Sequence, residues 1–110
     1  MKRWNVIVEL PAQQDIAEAR LWIAEYSTEA AGRWFYEIYD TIGSLEMFPD
    51  RCPLAPESKF LNCDIREIFH GRRQYKYRIL FMVTENEVRV LHVRHGARLA
   101  LGEAAAEEET

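Results

Sequence analysis

A chain of 110 residues with 48% apolar and 12% aromatic content supports one packed core, which argues against a second domain and against wholesale disorder. No apolar run approaches the ~20 residues a membrane-spanning helix needs. The net charge is −4, yet residues 66–98 carry eight Lys/Arg against three acids, so the basic charge is placed, and a placed basic face normally meets a polyanionic or acidic partner.

Residues 4–10 alternate Trp4, Val6, Val8 and Leu10, the pattern of a first strand. The N-terminus has two basic residues but no apolar stretch of a secretory signal, so the expected compartment is the cytosol. Pro11 suits the first turn of a helix. From there Ile16, Ala19, Ile23 and Tyr26 recur at helical spacing. This helix should stop near Tyr26, where Ser27 or Thr28 can cap a second one and Glu29 suits its N-terminal dipole. Ala31, Phe35, Ile38, Ile42 and Leu45 then step by four, three, four and three, the seam of a helix packed against its neighbour. The short join implies an antiparallel helical hairpin. Residues 49–58 carry three prolines and are expected as an extended surface loop.

The remainder reads as strands. Residues 63–70 form the second, residues 71–74 a turn, and residues 75–83 the third, with Tyr75, Tyr77, Ile79, Phe81 and Val83 on one face and Lys76 and Arg78 on the other. A connection at residues 84–87 leads to the last strand, residues 88–94. The resulting fold class is α+β with the order β-α-α-β-β-β, an antiparallel sheet carrying the N-terminal helical hairpin on one face. Residues 1–103 make the single domain, and residues 104–110 form an acidic, frayed tail.

If Arg66 and Arg78 share the uncovered face, with Arg98 at the sheet end, their guanidinium forks form a concave site for phosphate. The register that decides this is not fixed by sequence. The alternative is that both arginines solvate the face or pair with acids. His92 and His95 are either proton-transfer groups or structural hydrogen-bonders. Trp22, Trp34 and Tyr36 are read as core before interface. Cys52 and Cys63 have no metal-ligand spacing with each other or with His70, His92 and His95, and are read as reduced bystanders. No cofactor is expected, because phosphate-loop, nucleophile-elbow and zinc-protease motifs are missing.

The ordered pieces carry a resemblance. They are Ala12-Gln13-Gln14-Asp15-Ile16, the stretch from Ala31 to Pro49, Ile65-Arg66-Glu67-Ile68, Tyr77-Arg78-Ile79-Leu80-Phe81, and the run from Val90 to Arg98. In this order, over about residues 4–98, the chain resembles the RelE/ParE superfamily of bacterial type II toxins, often labelled plasmid stabilisation proteins. The resemblance implies a cognate antitoxin as partner, able to form a hetero-oligomer with the toxin. It also implies one of two targets: DNA gyrase in the ParE-like branch, or the ribosome and messenger RNA in the RelE-like branch.

For RNA cleavage the implied residues are Arg78, Arg98, Arg66 and His95. For antitoxin or target binding they are Arg66, Lys76, Arg78, Arg94 and Arg98. The lysine pair of the RelE-like second strand has no match, since Glu67, Ile68 and Phe69 follow Arg66, and no aromatic residue follows Phe81 where a terminal tyrosine would stand. The helical hairpin is long, as in ParE-like members, and the acidic net charge suits a ribosome-bound nuclease poorly. The favoured expectation is a ParE-like, gyrase-directed toxin, with the RNA-cleaving toxin second and a degenerate, antitoxin-binding domain third.

Overall fold

A computed structural model describes residues 1–71 and 76–95. The elements are β1 (Asn5–Val8), α1 (Leu10–Ala24), α2 (Thr28–Gly43), α3 (Ser58–Leu61), β2 (Arg66–His70), β3 (Tyr77–Val83) and β4 (Glu87–His95). They follow the expected β-α-α-β-β-β order, with α3 added in the linking segment. The sheet runs β1-β4-β3-β2. Strands β2, β3 and β4 form the antiparallel meander. The sheet as a whole is mixed, because β1 pairs in parallel with β4. The helical hairpin between them carries the chain back across the sheet, so β1 and β4 run the same way, which alternation within β1 cannot reveal.

Helix α1 begins one residue early, with Leu10 62% exposed; a strand through Leu10 is corrected by the helix-compatible Pro11 that follows it. Ser27 caps α2, its hydroxyl accepting from the Ala30 amide at 3.1 Å. Along α2 the buried positions are Ala31, Trp34, Ile38 and Ile42, continuing to Leu45 in a following 3-10 turn. Phe35 is only half-buried and lies under the Arg20 guanidinium, 4.3 Å from its centre. The stripe therefore shifts by one residue, because α2 packs on the sheet as well as on α1.

The core lies between the hairpin and the inner sheet face, where Ile16, Ile38, Ile79, Phe81, Val88 and Val90 are almost wholly buried. Each such side chain contributes about 1.5–3 kcal/mol of burial before entropy is charged against it. Between Leu80 and Phe81 the β3–β4 register slips: Phe81 faces Val90 while Leu80 faces His92. Leu91 is the extra residue of a bulge. It restores Val93 and His95 to the inner face after Val88 and Val90.

The proline-rich segment is not an extended surface loop, as its composition suggested. A 3-10 turn occupies Pro49–Arg51, and Pro49, Cys52, Ala55 and Glu57 are buried. The segment rounds the β2 edge. Cys52 joins the helix-side core, whereas Ala55 packs with Ile65 and Leu80 on the opposite face. Backbone bonds from Ala55 to Ile65 (2.7 Å) and from Glu67 to Pro53 (3.1 Å) fasten it. The Ser58 hydroxyl both donates to the Ile65 carbonyl and accepts from its amide, each at 2.9 Å. These bonds satisfy backbone groups that a loop in water would leave to solvent.

Candidate functional site

Antiparallel partners share a face, so the register sorts the basic residues. Arg66 pairs with Phe81, and Phe69 pairs with Arg78. Arg66 therefore belongs to the helix-side face and Arg78 to the outer one. The conditional site of converging Arg66 and Arg78 forks is not formed. Arg66 instead donates to the Cys52 carbonyl at 2.5 Å, bracing the segment that rounds the sheet edge.

Arg78 is the most constrained cation among the described residues. Its Nη1 and Nη2 donate to the two Glu57 oxygens at 3.0 and 2.7 Å, and its Nε donates to Glu67 Oε1 at 3.0 Å. The side chains of Arg78, Glu57 and Glu67 are only 8, 0 and 13% exposed. Burial opposes the Arg78 charge, but the bonds to Glu57 and Glu67 outweigh it and hold the guanidinium above its ordinary range. Two carboxylates meet the one guanidinium. A fork filled in this way has no free pair of donors for a phosphate.

Arg89 is spoken for as well, meeting Glu9 at 2.7 Å and Glu87 at 2.9 Å. Two cations remain on the outer face without carboxylate partners among the described residues. Lys76 sits 4.8 Å over the Phe69 ring. Arg94 is the register partner of Arg78, and its Nε is buried with no hydrogen-bond partner. Phe69, under the Lys76 ammonium, is 44% exposed, so apolar surface accompanies this charge. Arg98 lies outside the described residues.

The histidines go elsewhere. His95 faces inward with Tyr77, their rings 5.1 Å apart and edge-on. His92 Nδ1 meets Asp15 Oδ2 at 3.0 Å, and the same oxygen accepts from the Val93 amide at 2.9 Å. His70 Nδ1 contacts the Thr41 hydroxyl at 3.0 Å. Among the described residues, His95, Arg66 and Arg78 thus form no single proton-transfer constellation. No group of His, Cys, Asp or Glu there could hold a metal. Burial raises the Cys52 thiol above its usual range against the pull of Arg51 and Arg66, which keeps it protonated and inert near neutrality.

Of the aromatic residues read as core, Trp34 is buried, while Trp22 and Tyr36 are 46 and 79% exposed. Sequence reasoning missed Glu57, which sits in a segment with no periodicity to mark it as inward-facing. The option that Arg78 pairs with acids was visible, but not which acids.

The family match places this fold among the RelE/ParE superfamily of toxins. Residues 6–100 match the family described as the ParE toxin of the type II toxin-antitoxin system parDE, and the chain belongs to that family. No curated protein matches it significantly. The family implies an antitoxin partner. No helix among the described residues is long and apolar enough to cross a membrane.

Proposed function

We propose that this toxin acts on DNA gyrase and not by cutting RNA, and that a cognate antitoxin silences it by covering Lys76 and Arg94. The observation that carries this reading is the Arg78 clamp. A strand arginine that served phosphoryl chemistry would keep its fork open toward the scissile phosphate; here Glu57 and Glu67 fill it. Arg78 on this reading holds the outer face together. Recognition passes to Lys76 and Arg94, the outer-face cations that no carboxylate neutralises among the described residues, and to the apolar surface around Phe69. An acidic, partly extended antitoxin segment supplies the complementary charge.

Induction without antitoxin, with the DNA-damage response and the translation rate followed in parallel, tests this reading. The expected result is growth arrest with an early DNA-damage response while translation continues. Early collapse of translation with cleaved messages would favour the RNA-cleaving alternative. Unimpeded growth would favour a degenerate, antitoxin-binding domain.

A further inference from the structure

Strand β4 ends at His95, the register partner of Tyr77 at the first position of β3. Arg94 is the residue before that end and Lys76 the residue before that start, so both outer-face cations stand where the chain leaves the sheet. Lys76 and Arg94 are partly exposed, and Phe69 under the Lys76 ammonium is exposed. Between the two cations Arg78 is already taken by Glu57 and Glu67. Residues 96–110, the expected acidic tail included, lie outside the described residues. Their sequence is one-sided: beyond Arg98 come Glu103, Glu107, Glu108 and Glu109, with neither Lys nor Arg, and Leu99 and Leu101 precede them.

We propose that residues 99–109 fold back over this face as an internal competitor of the antitoxin, with glutamates on Lys76 and Arg94 and a leucine against Phe69. The competition rests on the reading that an acidic antitoxin segment covers the same two cations; the contact itself does not. Reach is ample. Crossing from β4 to β2 takes two strand spacings of about 4.8 Å each. Glu103 stands eight residues past His95, and extended chain covers about 3.3 Å per residue. Gly96, directly after the strand, lets the backbone reverse there. The helix side of the same sheet end is the poorer place, because Asp15 and Glu18 border the space beside Tyr77 and His95 and repel a run of glutamates. On one chain the segment meets the outer face at an effective concentration of millimolar order. A contact too weak to form between separate molecules is then enough to hold it, and an incoming acidic segment has to displace it.

The test compares the 15N-labelled full chain with a variant carrying Glu103→Gln, Glu107→Gln, Glu108→Gln and Glu109→Gln, which removes charge and adds no bulk. The expected result is a shift of the Phe69, Lys76 and Arg94 amides in the variant, reproduced in the original chain by raised salt, with the Asp15 and Glu18 amides unmoved. An acetylated, amidated hexaglutamate peptide then stands in for the acidic partner. It should bind the variant about three-fold more tightly or better, because the face is no longer partly occupied. That gain should vanish when Lys76→Gln and Arg94→Gln are also present. Unmoved amides at Phe69, Lys76 and Arg94 would overturn the proposal. So would a gain in peptide affinity that survives Lys76→Gln and Arg94→Gln, since it would reflect overall charge and not competition. Amide shifts that grow with protein concentration would put the segment on a second copy and overturn it equally. The amide shifts are read without antitoxin or gyrase. If the antitoxin reading fails instead, they persist while charge reversal at Lys76 and Arg94 leaves antitoxin affinity unchanged, which would overturn the competition alone.

Discussion

Arg78 brings a positive charge into a place that water scarcely reaches, and Glu57 and Glu67 make that tolerable. Removing the guanidinium takes from two buried carboxylates the cation that both of them meet. Arg78→Ala should therefore cost about 3–5 kcal/mol, whereas Lys76→Ala on the same face should stay within about 0.5 kcal/mol. Urea unfolding monitored by tryptophan fluorescence measures both. A small, equal loss in the two variants would refute the clamp. The thiols give a second check at this scale. Cys52 is buried and its ionisation is disfavoured by that burial, while Cys63 is partly exposed. Cys63 should label first with a thiol reagent at neutral pH, and Cys52 only on unfolding. Because the Cys52 thiol ionises later in the fold than in the open chain, its contribution to stability is present below the ordinary thiol range and is lost as pH rises through the folded value. The alternation of β3 made the outward course of Arg78 legible in sequence. Its partner Glu57 was not, because proline-rich segments carry no period that marks an inward side chain.

At the scale of elements, the capping of α2 was readable and exact bounds were less so. Ser27 is an N-cap by residue type and by the hydrogen bond it makes. Ser27→Ala should lower stability by about 1 kcal/mol, seen as a lower urea midpoint with unchanged slope; no change would mean that water replaces the cap at no loss. The stripe Ala31, Ile38, Ile42 and Leu45 was legible because it is periodic. Phe35 and Trp34 compete for the same turn, and the wide face needed against both helix and sheet gives the buried place to Trp34. The β4 bulge was hidden because Val88, Val90 and Val93 fit no single strand period; the extra Leu91 reconciles them. The parallel β1–β4 pairing depends on how the hairpin returns, a tertiary fact that leaves no trace in either strand.

Across the whole molecule, the excess of basic residues in 66–98 contracts once the fold is in place. Glu57 and Glu67 occupy Arg78, Glu9 and Glu87 occupy Arg89, and Arg66 is committed to a carbonyl. Glu9 and Glu57, outside the window, add to Glu67 and Glu87 within it, so counting charge in one window overstates the field. Among the described residues, the outer-face cations without a carboxylate partner are Lys76, over the Phe69 ring, and Arg94, and the proposed reading assigns recognition to them. Charge reversal at both positions should weaken antitoxin binding by about ten-fold or more, mostly in the salt-dependent association rate. Calorimetry and stopped-flow mixing with the antitoxin check this, and unchanged affinity would place the antitoxin elsewhere.

Target choice separates gyrase inhibition from RNA cleavage most directly. Purified protein mixed with gyrase and relaxed plasmid should inhibit supercoiling in proportion to its concentration, and the same amounts should leave cell-free translation and its messages intact. Normal supercoiling at excess protein, together with ribosome-dependent cutting that disappears in Arg94→Ala, would contradict it.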